Sequence, residues 1–168
     1  LSKGSSCVSL KNMMAIDPSL VAAGWATVKN GKEVSGVIKP IGETLPERLQ
    51  CLSTEIKNLI LSFVPSKLII ELPAAYSYAR SKSKWSGKDL NQASLQKLNL
   101  AIGTICGTAQ SIGVGFEFID VTWKGKMNKK MSMIITGKKN HNEADAICLM
   151  RYYMTIQANN SYRNITVP

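Results

Sequence analysis

The sequence predicts an α/β domain on a five-stranded mixed sheet, an antiparallel three-strand meander plus two parallel strands, flanked by helices. Three observations predict it. Short apolar runs at Met13–Ile16, Trp25–Val28 and Val34–Ile38 come first, and Asn30-Gly31 between the last two is a strong two-residue hairpin signal. After Ile38 the pattern changes to long segments of helical period alternating with short strands, the order that produces parallel pairing. The run Lys67 to Leu72 is apolar without alternation, as in strands buried on both faces of a sheet.

Each element has a local reason. Pro18-Ser19 turns the chain between the first two strands. Thr44-Leu45-Pro46-Glu47 is a capping box, and Leu49, Leu52, Ile56, Leu59, Ile60 and Phe63 then share one face of a helix that Pro65 ends. Residues 74–91 read as a polar, basic loop. A second helix is expected from Gln92 to Ile112, with its stripe at Leu95, Leu98, Ile102, Ile105, Ala109 and Ile112, and Gly113 as its stop. Phe116–Val121 is the fifth strand. Thr122–Asn140 is a basic connector with a short helix near Met127–Ile135, and the last helix is expected over Asn142–Ala158. Residues 1–11 read as a flexible or expression-derived start, 12–158 as one domain and 159–168 as a polar tail.

Charge points to the partner. The 168 residues carry 21 Lys and Arg against 11 Asp and Glu, a formal net charge of +10. That balance favours a nucleic acid over a membrane, and no run approaches the roughly 20 apolar residues of a spanning helix. Cys7, Cys51, Cys106 and Cys148 form no C-x-x-C pair, so free thiols and a reducing, cytoplasmic setting are expected, with no secretion signal.

Three acids stand where elements end. Asp17 closes Met13-Met14-Ala15-Ile16, Glu71 closes Leu68-Ile69-Ile70, and Asp145 lies near the start of the last helix. A carboxylate among apolar neighbours is costly unless it is paired or binds a metal. Structural readings stand beside that one: a turn-capping Asp17, an edge-strand salt bridge at Glu71, and an Asp145 that complements the helix dipole. Around these acids Lys124, Lys126, Lys129, Lys130, Lys138 and Lys139 form an acid-free basic run, and the loop after Glu71 adds Arg80, Lys82, Lys84 and Lys88 among Tyr76, Tyr78 and Trp85. The lysines are read as phosphate contacts, against the alternative of a merely solvated face. Trp123 is read as a packing anchor for the connector.

The element order is that of the ribonuclease H-like fold. Ile16-Asp17-Pro18-Ser19 with Gly24-Trp25-Ala26, Ile69-Ile70-Glu71-Leu72-Pro73, and Asn142-Glu143-Ala144-Asp145-Ala146-Ile147 together resemble the RuvC-type Holliday junction resolvases, in a divergent form common in bacterial viruses. The resemblance spans roughly residues 13–154. It implies a bacterial or virus-infected cell and a homodimer that cuts branched DNA, above all four-way junctions, in recombination and repair. It also implies two Mg²⁺ ions, with Mn²⁺ as a substitute, bridged by Asp17 and completed by Glu71 and Asp145. Two such ions about 4 Å apart activate water and stabilise the leaving oxygen of a phosphodiester.

The fourth ligand departs from the family pattern, because an Asp or His is expected where this chain has Asn142. Asn142 through its amide oxygen, His141 on the same helical face, or Glu143 are the candidates. Against these stand a capping or solvent-facing His141 and a Glu143 that completes a cap with Asn140. The family's stacking aromatic corresponds to Ala74, which leaves Tyr76 or Tyr78 for that part. Gly103 and Gly107, four apart on the second helix, would allow close approach of a partner helix, or would pack against the sheet. The rival functions are another nuclease of this fold, acting on RNA–DNA hybrids or in strand transfer, and a non-catalytic junction-binding protein.

Overall fold

Asn30 and Gly31 both take positive φ, 53° and 74°, the backbone that a two-residue hairpin between twisted strands requires. They join β2 (Ala23–Lys29) to β3 (Lys32–Ile38), and β2 also pairs antiparallel with β1 (Met13–Asp17). The computed structural model describes residues 12–72 and 92–163. Helix α1 (Leu45–Phe63) starts at the expected capping box, with Thr44 Oγ1 accepting from Glu47 N and the Glu47 carboxylate accepting from Thr44 N. It ends at Val64, whose N–H returns to the Ile60 carbonyl.

Strand β4 (Lys67–Leu72) runs parallel to β1, and β5 (Gly115–Asp120) runs parallel to β4, so the sheet order is β3-β2-β1-β4-β5. Between them lies α2 (Gln92–Ser111). After β5 a single 3₁₀ turn (Val121–Lys124) leads to α3 (Lys129–Thr136) and α4 (His141–Arg163). The fifth strand ends one residue before the expected Val121 because Asp120 Oδ1 accepts from Thr122 N at 2.8 Å and turns the chain. Helix α4 extends to Arg163, past the expected end at Ala158, so part of the predicted polar tail is helical.

Alternation along the central strands feeds two cores. Met14, Ile16, Leu68 and Ile70 face α1 and α2, where Leu52, Ile56, Ile60, Ala101 and Ile105 complete a buried cluster. Met13, Ala15 and Ile69 face α4 and meet Ala146, Ile147, Leu149, Met150 and Tyr153. Burying a side chain of this size contributes about 1.5–3 kcal/mol. The parity of β1 and β4 is therefore fixed by both layers, and a one-residue slip would exchange the two cores. Gly103 and Gly107 lie on the outer, exposed face of α2 beside the exposed Leu100, away from the sheet. Among the described residues no helix is long and apolar enough to cross a membrane.

Candidate active site

The same parity selects the acids that meet. Asp17 and Glu71 continue the odd-numbered face of β1 and β4 that looks at α4, and the register pairing Ile16 with Ile70 sets them side by side at the strand ends. Helix α4, anchored on that face by Ala146 and Leu149, brings down Asp145. Its first turn approaches closely because β2 has a glycine there: any β-carbon at Gly24, the residue paired with Asp17, would overlap the Asn142 carbonyl. Asn140 caps the helix, its Oδ1 accepting from Asn142 N at 2.9 Å and Glu143 N at 3.3 Å.

Glu71 and Asp145 are buried, 7% and 6% exposed, and share one cation. Lys124 Nζ donates at 2.8 Å to Glu71 Oε1 and at 2.8 Å to Asp145 Oδ2. Trp123 Nε1 donates at 2.9 Å to Glu71 Oε2, and its ring stacks 5.4 Å from Tyr152 of α4. The 3₁₀ turn that carries both residues therefore closes the site. The sequence reading missed Trp123 as a partner of Glu71, and it placed Lys124 on the outer phosphate-binding run, whereas the structure places its ammonium inside the carboxylate cluster.

Three carboxylates face one ammonium, and the imbalance appears in the proton affinities of Asp17 and Glu71. Burial pushes the Asp17 carboxyl well above the ordinary carboxylate range, and the neighbouring Glu71 adds to the shift; Lys124 opposes it, Asp145 adds to it and Lys129 opposes it. Glu71 is also raised, by burial first and Asp145 to a lesser degree, with Lys124 and Trp123 pulling the other way. Burial works against the Lys124 ammonium, but Glu71, Asp145 and Asp17 outweigh it and raise its pKa. His141 opens α4 half-buried, and its pKa is lowered by burial and by Lys129 and Lys124 against the pull of Asp145, so it is neutral at physiological pH.

The fourth-ligand candidates separate. Asn142 Nδ2 donates to the Ala22 carbonyl, which commits the amide to the loop before β2. Glu143 points to β3, accepting from Ser35 Oγ at 2.7 Å and pairing with Lys138 Nζ at 2.7 Å. Its carboxylate is thus held two strands from β1, and Lys138 is engaged with a side chain of its own chain. The capping reading of His141 is corrected by Asn140, which does the capping. Lys126, Lys129, Lys130 and Lys139 are exposed. Tyr76, Tyr78, Arg80, Lys82 and Lys84, with Ala74, Trp85 and Lys88, lie outside the described residues.

Among the described residues, no group of three His, Cys, Asp or Glu side chains is gathered tightly enough to hold a metal as it stands. The donor chemistry nevertheless suits one. All three acids offer the hard oxygens that Mg²⁺ and Mn²⁺ prefer, and a positive charge, the Lys124 ammonium, already sits between two of them.

The structure is similar to Thermus thermophilus RuvC in complex with a Holliday junction substrate, with a TM-score of 0.60 and 18% identity over 87% of this chain and 96% of that one. A second Thermus thermophilus RuvC structure gives a TM-score of 0.57, again with 18% identity over 87% of this chain and 96% of that one. The yeast mitochondrial Holliday junction resolvase gives 0.56, with 13% identity over 92% of this chain and 84% of that one. No family model and no curated protein matches the sequence. The fold is RuvC-like, a ribonuclease H-like mixed sheet with flanking helices.

Proposed function

We propose that the chain is a divalent-metal-dependent, structure-selective endonuclease that resolves four-way or branched DNA junctions. One observation carries this reading: β1, β4 and α4 converge three carboxylates on a single sheet edge, with one ammonium between two of them and a raised pKa on the third. A cluster so short of positive charge is built to receive more. Asp17, Glu71 and Asp145 would hold Mg²⁺, or Mn²⁺ in its place. When bound, the ions supply an activated water near neutral pH and stabilise charge on the leaving oxygen.

The chain's own groups do the rest. Trp123 fixes the Glu71 carboxylate by its indole N–H and by stacking on α4. Lys124 holds Glu71 and Asp145 together, so that their oxygens are gathered where an ion would be held. His141, neutral at the same edge, accepts a proton from water or orients it. Lys126, Lys129, Lys130 and Lys139 neutralise phosphates of the incoming strands. Since a four-way junction presents two equivalent strands, the active species is a homodimer joined through the open Gly103 and Gly107 face of α2.

The test is a comparison of substrates. A synthetic four-way junction, its matching duplex and an RNA–DNA hybrid are incubated with the protein, with and without Mg²⁺. Paired nicks in the junction that require the ion support the reading. Faster cleavage of the hybrid moves the protein to another nuclease class on this fold, and tight junction binding without cleavage under any divalent ion makes it a binding protein.

A further inference from the structure

Helix α3 is inside out. Its fully buried side chain is Ser132, 0% exposed, while Met131, Ile134 and Ile135 are 43%, 70% and 56% exposed. Spacings of three and four residues place these three on one side, so α3 presents an apolar face to the outside. Nothing in the local sequence forces this, since Ser132 Oγ and Thr136 Oγ1 satisfy themselves on carbonyls of their own helix. The surroundings are strongly basic: from Val121 to Asn142 there is no acid, and Lys126, Lys129, Lys130 and Lys139 are exposed. A second copy docking here would set lysines against lysines. A polyanion that also offers flat apolar surface matches both halves of the patch.

We propose that Met131, Ile134 and Ile135 form the seat for unstacked bases at the opened centre of a DNA junction, with the flanking lysines on the phosphates. The inference rests on the resolvase reading and names the surface that would give it selectivity. Bases inside an intact duplex are stacked on each other and have no free face to offer, so duplex engages only the lysines; at a branch point some bases lose a stacking neighbour. The placement suits this use. Lys129, at the start of α3, is close enough to influence both Asp17 and His141, and Ile134 lies about 8 Å further along at 1.5 Å per residue.

The experiment uses Ile134→Ser combined with Ile135→Ser, both at exposed positions, with the melting temperature as a check on folding. Binding to a four-way junction carrying 2-aminopurine beside its centre and to the matching duplex is measured without divalent ions over a salt series. The wild type is expected to prefer the junction and to brighten the probe. The double variant is expected to lose the brightening and about tenfold of the junction-over-duplex preference, the scale of partly burying an isoleucine side chain against a base. Its salt slope should be unchanged, because every lysine remains. A junction preference and brightening that survive in the variant overturn this inference alone. So does a variant whose sedimenting mass changes while its preference does not, since the face is then a protein interface. A wild type with no junction preference overturns the resolvase reading and this inference together. Should the double variant fail to fold, Ile134→Trp replaces it, read as the difference from wild type because Trp25, Trp85 and Trp123 also emit: a difference emission quenched by junction and not by duplex supports the seat, and one equal in both overturns it.

Discussion

Among the described residues, the contrast between balanced surface ion pairs and the buried cluster at the strand ends is sharp. Arg151 pairs with Glu33 in a two-pronged contact of 2.7 Å per arm between α4 and β3, and Lys67 pairs with Glu117 at 2.9 Å across β4 and β5. In both pairs the side chains are about two-fifths exposed, at 43% and 41%, and each acid has its own base. At the other end of the sheet, side chains only 16%, 9% and 8% exposed put one ammonium against two acids, with Asp17 beside them as a third. Surface pairs of the first kind contribute little and are screened by salt. The buried cluster costs desolvation without matching charges, which a stability argument does not explain and an ion-binding function does.

Removing the single cation should break that contrast most sharply. Lys124→Ala leaves Glu71 and Asp145 facing each other in a buried site, and should lower stability in the absence of divalent ions by about 3 kcal/mol, as for other broken buried pairs. Thermal unfolding with and without Mg²⁺ checks it. A loss the same size as for a surface pair would show that solvent already screens the cluster.

Asn142→Asp comes next. It restores the acid of the family pattern but puts a carboxylate against the Ala22 carbonyl that now accepts from Asn142 Nδ2. A loss of about 1–3 kcal/mol is expected, with no gain in cleavage. A faster enzyme would mean that residue 142 turns toward the ions.

Acidification sharpens the comparison further. Asp17 has its folded-state pKa raised above its ordinary 3.8, so the folded chain binds this proton more readily than the unfolded one. Its contribution to stability is full below the ordinary value and is lost as pH rises through the raised value. Metal-free wild type should therefore gain stability relative to Asp17→Asn as pH falls from neutral toward the carboxylate range. Parallel melting curves across that window would contradict the assignment. Arg151→Ala should show the smallest effect, under about 1 kcal/mol after discounting for exposure and screening, and less at high salt.

Much of this architecture was readable from short-range rules. Asn30-Gly31, the capping box at Thr44 and the unbroken apolar run of β4 each specify local geometry, and two parallel neighbouring strands that end at one edge put Asp17 beside Glu71. The site's other half was not readable in that way. Trp123 and Lys124 sit in a 3₁₀ turn, which has no hydrophobic period to announce it, and a lysine in a basic run looks the same whether it faces phosphate or a buried carboxylate. Asn142 meets Ala22 across 120 residues of sequence, and Glu143 meets Ser35 across 108. Contacts at such separations follow from how α4 lands on β2 and β3. The glycine at position 24 is the one local sign of that landing.

The central claim is that Asp17, Glu71 and Asp145 form a metal-holding hydrolytic centre. Single-turnover cleavage of a four-way junction in Mg²⁺ by Asp17→Asn, with junction binding measured in parallel, tests it most directly. The account predicts cleavage lowered by at least about 10³-fold, the scale of removing a central charge-stabilising group, with binding intact or tighter because negative charge facing the phosphates is gone. Cleavage at near the wild-type rate, with binding unchanged, would contradict it.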